Sequence, residues 1–599
     1  MKRKALFAIS SLGLGHATRT LAVINHFKTK YDITIISYGN TLHFLEEELR
    51  SSTVNFMEFK DYPKLERGDG LYFYLYLFID LIKTNLIIRN EHKKTSQIEN
   101  DFDFIFSDGR YGIYSKKIPS FILSHQISFI PPKGLSFFKF LSDLSNCYYF
   151  RNFNKLFIPD FKSYDKNLAG NLSHTNLLKF CKHEFVGILS SYKKINIKED
   201  IDYLFIISGY LQDKKDTFIS KLLEESKKIE GKKVFILGDA SKKDIIELEE
   251  YDTIIYPSAT KDFRNELFCR AKVIVSRAGY TTIMDLVELN KKAILFPTPN
   301  QTEQEYLAKY HKYKNNFVIC EDETGFDLQK LTLKLEQTKP LYIEEKTSQS
   351  LLKIEKTIQS FFHKNFFSIV IPAYNEEKYI SLVIEKLSTL DYDKNDYEII
   401  VVENGSNDDT YKKVSSFKSK ISNLQVYSSK KGVSRAKNYG LKKVSTKSDF
   451  TIFLDADTAV ERDFLKELNN YINSNDDNNL SIGTTTLKPL ANHSLYDTLW
   501  YKFYDFGHWL TKTSYSIQIA KTDIAKQVEF DETLNYSEDL KFIKNMQVFG
   551  NFFFFRTKQV ATSNRRFKKE GYFKTFFLWN IQALTPESFK KNRSYNTIR

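Results

Sequence analysis

Short apolar runs separated by amphipathic stretches recur along the whole chain of 599 residues. Ala5 to Ser10 reads as a buried strand, Leu12-Gly-Leu-Gly-His16 as a tight loop, and Thr18 to Lys30 as an amphipathic helix. Ile33 to Ser37, Phe104 to Ser107 and Phe121 to Ser124 continue the strand series, the last running into His125-Gln126. The pattern loses its period around Pro159 to Lys182. Phe185 to Leu189 then opens a second series, with Leu204 to Ser208, Val234 to Leu237, Thr253 to Tyr256, Val273 to Ser276 and Ala293 to Phe296 as its strands. Strands alternating with helices predict doubly wound α/β units, and two in succession predict a cleft between them. Leu331 to Phe362, rich in Lys, Glu and Gln, reads as a closing helix and linker. The period resets at Phe367 to Glu377, a strand broken by Pro372. The expected division is 1–165, 183–340, a helical linker over 341–365, and a further α/β domain over 366–599.

Composition narrows the classes. The chain is too long for one hydrophobic core, and 42% hydrophobic residues with 15% aromatics mark a packed globular protein. The net charge of +14 is spread along the length and fits phosphorylated substrates, an anionic membrane surface or nucleic acid. No arginine-rich arm or zinc-ligand pattern favours nucleic acid, so none is expected as a partner. Cys147, Cys181, Cys269 and Cys320 stand far apart with no C-x-x-C, which points to a reducing, cytoplasmic setting. The basic and apolar start is interrupted by Gly13, Gly15, His16 and Arg19, so it reads as a first strand rather than a leader. The longest apolar window, Leu71 to Ile82, holds Asp80 and is too short to span a membrane.

Candidate chemistry concentrates in a few stretches. Thr451-Ile-Phe-Leu-Asp-Ala-Asp-Thr458 reads as a strand whose period of two turns Asp455 and Asp457 to one side. Hard carboxylate oxygens there suit Mg²⁺ or Mn²⁺ bridging to a diphosphate. A calcium loop counted from Asp455 fails, with Val460 where Gly is needed and Lys466 where Glu is needed. The competing reading is an acidic strand end that caps the next helix. Gly13-x-Gly15 begins a dinucleotide fingerprint that fails twice: Thr18 stands for the third Gly, and the second strand ends in Tyr38-Gly39 without a ribose-binding acid. The loop can still present His16 as a base at a helix N-terminus, although a loop histidine also serves structure alone. Ser276 to Leu286 sets a strand, a Gly turn and hydroxyls at a helix start, an anion cradle with Asp285 one turn on and within reach of a ribose.

Gly13-Leu-Gly-His-Ala-Thr-Arg19, His125-Gln126, Ser276-Arg-Ala-Gly279 and Gln301 to Glu305 resemble the two-lobed GT-B glycosyltransferases, near the branch of the lipid II N-acetylglucosaminyl transferase. The likeness covers roughly residues 1 to 340. It implies a UDP-sugar in the second lobe, an acceptor on the first and no metal. His16 would be the base. Gly15, Ser276, Gly279, Thr281, Asp285, Gln301, Glu303 and Gln304 would form the donor site, with Asp285 replacing the usual Glu. Phe367 to Glu377, Glu398 to Thr410, Gly432 to Gly440 and the Asp455/Asp457 pair, in this order, resemble the family 2 glycosyltransferases of the GT-A fold over residues 366 to 599. That resemblance places the nucleotide against Pro372, Tyr374, Glu376, Glu403 and Arg435, and the metal-bridged diphosphate at Asp455 and Asp457. Glu403 and Asn404 stand where the family has Asp-Asp. Asp539 in Tyr536-Ser-Glu-Asp-Leu540 would be the general base, and Arg565 and Arg566 would steady the leaving diphosphate.

The fold class expected is therefore α/β, a two-lobed GT-B pair of Rossmann-like domains followed by one GT-A domain. The function expected is a fused pair of glycosyltransferases acting on a growing cell-surface or lipid-linked glycan, inverting in the second half. One alternative keeps transfer only in the second half and makes the first a UDP-sugar 2-epimerase, which would need catalytic acids in the cleft. Another is a binding protein with a decayed site. Two aromatic stretches, Leu71 to Phe78 and Arg565 to Trp579, the latter interleaved with Lys and Arg, suggest peripheral contact with an anionic membrane at its inner face. Both could instead pack cores.

Overall fold

The computed structural model describes residues 2–50, 52–62, 71–128, 130, 136–207, 212–238, 244–338, 340–475, 479–490, 494–514, 516–534 and 536–584. The chain divides into two compact units, Met1–Gln359 and Ser360–Arg599.

The first unit holds two sheets. Strands β1 (Arg3–Ile9), β2 (Tyr31–Ser37), β3 (Asn55–Glu58), β4 (Phe104–Asp108), β5 (Ser120–Leu123), β6 (Lys155–Ile158) and β7 (His183–Phe185) form one, in the order 3-2-1-4-5-6-7 with every pair parallel. Strands β8 (Ile201–Ile206), β9 (Lys233–Ile236), β10 (Ile246–Leu248), β11 (Thr253–Tyr256), β12 (Ala271–Arg277), β13 (Lys292–Phe296) and β14 (Val318–Ile319) form the other, in the order 10-11-9-8-12-13-14. The central strands are buried along most of their length because helices cover both faces, which is why they read as continuous apolar runs. Both sheets reverse their winding at one point, between β1 and β4 and between β8 and β12. In such sheets the crevice at the carboxyl ends of those strands is where a ligand enters.

Three local expectations differ. Helix Leu14–Phe27 begins earlier than its periodicity suggests, so Gly15 and His16 occupy its first turn and only residues 10–13 form the loop. Phe185 does not open the second lobe, because β7 pairs with β6 through Leu156↔His183 and Ile158↔Phe185 and closes the first sheet. The stretch expected as a linker contains helix Thr347–Ser360, which crosses back to the first lobe. There Glu355 takes hydrogen bonds from Lys30 at 2.6 Å and pairs with His26 at 2.7 Å, while Thr357 donates to Glu184 at 2.7 Å.

The second unit is built on β15 (Phe367–Ala373), β16 (Tyr397–Glu403), β17 (Leu424–Ser428), β18 (Phe450–Leu454), β19 (Thr458–Val460), β20 (Leu480–Thr485), β21 (Lys488–Pro489), β22 (Ile517–Lys521), β23 (Asn551–Phe555) and β24 (Val560–Thr562). Seven of them make a mixed sheet in the order 17-16-15-18-22-20-23, and β19-β24-β21 make a small one beside it. Pro372 does not break β15. The strand pairs with β16 as far as Ala373, whereas its pairing with β18 ends at Val370, so the missing proline N–H falls where the second neighbour no longer needs it. Helix Val433–Lys443 packs on this sheet through Gly440, where an added Cβ would overlap Val370 Cγ1 and lie 3.3 Å from Val402 Cγ2.

Gly440→Ala should therefore lower the stability of the second unit by about 1–3 kcal/mol in urea unfolding. An unchanged midpoint would mean that the helix can move off the sheet without cost.

Candidate active sites

At the first switch point the end of β1 delivers His16 and Arg19, three residues apart and so on one helix face. The end of β4 delivers Asp108. His16 Nδ1 lies 2.7 Å from Asp108 Oδ1, Arg19 Nε donates to Asp108 Oδ2 at 2.7 Å, and Thr20 Oγ1 donates to the same oxygen at 2.6 Å. Gly109 follows at φ +75°, and a Cβ there would sit 3.0 Å from His16 Cε1. Only glycine lets the chain turn this closely under the imidazole. Burial pushes the Asp108 carboxyl up, but the charges and hydrogen bonds of Arg19 and His16 outweigh it and hold the acid well below the usual carboxylate range. An ionised Asp108 accepts from Nδ1–H, which leaves Nε2 as the basic position of a ring 28% exposed.

Arg19 also donates through Nη1 to His125 Nδ1 at 2.7 Å, and His125 Nε2 lies 3.0 Å from Glu303 Oε1. Burial lowers the His125 pKa and Glu303 only partly opposes it, so the ring is neutral, accepts from Arg19 and donates to Glu303. His125 stacks on Tyr280 with centroids 4.2 Å apart. This chain of contacts joins both lobes, as does Thr281, whose hydroxyl donates to the Gly15 carbonyl at 3.4 Å.

The second lobe offers helix Tyr280–Leu289, whose first amides no side chain caps beyond the Gly279 turn. Ser276 is spent on structure, donating to the Ile206 carbonyl at 3.0 Å. Asp285 is buried and accepts from Ser190 at 2.5 Å, and burial pushes its carboxyl up to about 7. Gln304 Nε2 donates to Gln301 Oε1 at 2.5 Å, and Gln304 Oε1 accepts from Thr298. Glu303 therefore faces His125, while Gln301 and Gln304 brace their own loop.

In the second unit the acidic pair departs from its expected geometry. β18 ends at Leu454, and Asp455 and Asp457 lie in a tight turn closed by Thr458 N donating to the Asp455 carbonyl at 3.0 Å. Turn geometry, not strand alternation, sets the two carboxylates. Arg565 at the start of helix Arg565–Glu570 lies 3.0 Å from Asp457 Oδ2 and donates to both oxygens of Glu376, at 2.9 and 2.6 Å. Lys437, buried on helix Val433–Lys443, donates to Asp539 at 2.5 Å and stands 3.7 Å from Glu538. Burial lowers the lysine pKa, but Asp539, Glu538 and Asp455 more than reverse it. Burial and Asp539 push Glu538 up to about 7. Acids and cations thus alternate across the mouth of the sheet.

Two of the expected nucleotide-site residues have protein partners of their own. Arg435 is half exposed and 3.5 Å from Glu532, while Lys437, two residues on, takes the inward place. The Glu403 carboxylate accepts from Ser406 N within its own turn, and Lys431 lies over the Tyr374 ring at 4.7 Å. Asn404 Oδ1 beside it is buried with no hydrogen-bond partner in the protein, an unmet acceptor. Pro372 is half-buried within β15, and Arg566 adjoins Arg565. Among the described residues no group of three or more His, Cys, Asp or Glu could hold a metal alone. Asp455 and Asp457 bring two carboxylates into one turn, with Arg565 3.0 Å from the second.

The sequence signals for Asp108 and Lys437 were present but weak. An acid directly after an apolar strand, and a lysine two places from an arginine, acquire meaning only from the strand order and the helix face.

Residues 212–361 match the model of the glycosyltransferase family 28 C-terminal domain, and residues 368–516 match that of glycosyl transferase family 2. The chain joins a family 28 C-terminal domain to a family 2 glycosyltransferase domain. The poly(ribitol-phosphate) beta-N-acetylglucosaminyltransferase TarS of Staphylococcus aureus is 32% identical over 104 residues, which is 17% of this chain and 18% of TarS. A UDP-N-acetylglucosamine N-acetylmuramyl-(pentapeptide) pyrophosphoryl-undecaprenol N-acetylglucosamine transferase of Prochlorococcus marinus is 26% identical over 341 residues, 53% of this chain and 80% of that relative. The crystal structure of CalG4, the calicheamicin glycosyltransferase, is 12% identical and covers 60% of this chain and 94% of its own, at a TM-score of 0.39 that is too low to bear on the fold.

His16→Ala and Asp108→Asn should each lower turnover by the first unit about 10²-fold or more while UDP binding by calorimetry survives. Equal rates in wild type and both variants would return the pair to structure. Because Asp285 folds protonated up to pH about 7, its contribution to stability is present below the ordinary carboxylate range and lost as pH rises through about 7. Asp285→Asn should flatten the fall in Tm over that window, and an unaltered slope would show that the acid ionises freely in the fold.

Proposed function

We propose that the chain is a bifunctional glycosyltransferase with two separate active sites, moving sugars from UDP-linked donors to a growing cell-surface or lipid-linked glycan. The alternation of Asp457, Arg565, Lys437 and Asp539 at the mouth of the second unit's main sheet carries this reading, since it pairs a diphosphate-binding edge with a carboxylate base. In the second unit Asp539 removes the proton from the acceptor hydroxyl as it attacks the anomeric carbon, which inverts. Lys437 orients Asp539. Arg565, turning from Asp457 and Glu376, and Arg566 take the charge developing on the departing diphosphate. A divalent cation at Asp455 and Asp457 would supply further charge neutralisation at that diphosphate. Asn404 offers its unpartnered oxygen to the nucleobase.

In the first unit His16 Nε2 takes the acceptor proton, Asp108 fixes the ring and stabilises the imidazolium that forms, and the uncapped amides of helix Tyr280–Leu289 receive the diphosphate, so this half needs no cation. The acceptor is glycan or polyprenyl-linked, and the protein works in the cytoplasm at the inner face of the cell membrane.

The 2-epimerase reading for the first unit gains two cleft acids, Asp108 and Glu303. Each is held ionised, Asp108 by Arg19 and Glu303 against burial by His125, which suits positioning rather than proton donation. A mass-spectrometric screen of UDP-sugars separates the two, since transfer or hydrolysis releases UDP and epimerisation does not.

Asp457→Ala should abolish transfer by the second unit in Mg²⁺ or Mn²⁺ and leave the first unit at its full rate. Loss of both activities with an unchanged circular-dichroism spectrum would show that the two sites are not independent.

A further inference from the structure

Helix Leu495–Thr511 carries two opposite apolar stripes. Tyr501 and Tyr504 face inward and are buried. Leu499, Phe503, Phe506 and Leu510 recur at the same helical spacing on the outer side, where a surface helix is ordinarily polar, and Leu499 and Leu510 are both 64% exposed. Helix Tyr572–Leu584 repeats the pattern, with Tyr572 and Thr575 inward and Phe573, Phe577 and Ile581 outward.

The two helices are locked together. Trp500 stacks on Tyr572 at 5.5 Å and meets Phe573 edge-on at 4.6 Å, Phe503 reaches Phe576 at 5.4 Å, and Tyr504 Oη donates to the Tyr572 carbonyl at 3.0 Å. Their outer stripes therefore form one face rather than two scattered sets. An exposed apolar face of this extent marks an interaction surface.

The charges around it select the occupant. Lys502, Lys512, Lys569 and Lys574 on or beside these helices are exposed, whereas Asp497 is buried and accepts from Tyr572. Asp505 is half-buried, and desolvation pushes its carboxyl up to about 7. A second copy of this face would bring cation against cation. An anionic bilayer meets both features, since rings settle at the headgroup level and lysines reach lipid phosphates. Among the described residues no helix is long and apolar enough to cross a membrane, so the contact is with the interface. The three tryptophans of the chain, Trp500, Trp509 and Trp579, all fall in these two helices.

We propose that helices Leu495–Thr511 and Tyr572–Leu584 form one docking platform that an anionic lipid surface covers, holding the second active site at the membrane. It draws its purpose from the lipid-linked acceptor proposed above, but its geometry is independent of that reading. Phe567 couples the platform to the active site, stacking on Tyr572 at 4.7 Å two residues after Arg565.

The tryptophan placement gives a direct test on the full chain. Vesicles of phosphatidylcholine with about one third phosphatidylglycerol, some acyl chains brominated, should quench and blue-shift the intrinsic fluorescence. Added salt or pure phosphatidylcholine should reduce this at least about tenfold. Leu499→Ser/Leu510→Ser, and separately Lys502→Gln/Lys512→Gln/Lys569→Gln/Lys574→Gln, should weaken vesicle binding by a similar factor with donor hydrolysis unchanged. No quenching on anionic vesicles at low salt, equal quenching on neutral ones, or concentration-dependent dimerisation that the Leu→Ser pair abolishes would each overturn the proposal. Vesicle binding without any UDP-sugar hydrolysis would support the platform and sink the transfer reading instead.

Discussion

A parallel strand buried on both faces has no room for polar chemistry along its length, and this constraint organises both units. Polar side chains can gather only where the strand ends and the chain turns away. His16 and Asp108 stand just beyond β1 and β4, Gly279 beyond β12, and Glu376 and Asp455 beyond β15 and β18. The central strands differ in sequence and share one placement rule. The reversal of winding opens a crevice at that edge, so the residues following the two central strands meet whatever their separation along the chain.

Bringing charge to the end of a buried strand imposes a second requirement. A desolvated carboxylate must be paired or it takes up a proton. Asp108 is paired by Arg19 and His16 and stays ionised, while for Asp285 burial outweighs the Ser190 hydrogen bond and the charge of Arg264 and pushes the carboxyl up to about 7. Lys437 meets Asp539 and Glu538 in the same way, and Arg565 meets Asp457 and Glu376. Under the proposed function, each cation would also serve a diphosphate or a developing charge. The pairing that keeps the site folded thus doubles as its preorganisation.

The outer surface of the second unit obeys a different rule. Its aromatic helices hold together through inward rings, and a hydrophobic core would end there. Continuation of the apolar pattern onto the outward side, bordered by lysines, has no use within the fold and suits an interface.

Much of this was legible in the sequence. Period and spacing located strands at the centre of each large sheet, among them β1, β4, β8, β12, β15 and β18, to within a few residues, because burial on both faces leaves an unbroken apolar run, and they missed short edge strands and the small fourth sheet; the ordered motifs from Phe367 to Asp457 pointed to the family 2 domain now matched over residues 368–516. Boundaries misread were those set by long-range pairing: β7, from His183, joins a sheet begun at Arg3, and Pro372 stays within β15 because its second neighbour has already departed. Side-chain partners were the least legible. Nothing local to Asp108 announces His16, since they meet only when β4 pairs with β1, and nothing local prefers Lys437 over Arg435 until helix Val433–Lys443 lies on its sheet. The sequence by itself determined the elements and the chemistry available, because propensity and period act over neighbouring residues. Only the tertiary structure decided which charges meet, because hydrogen bonds and desolvation act through space.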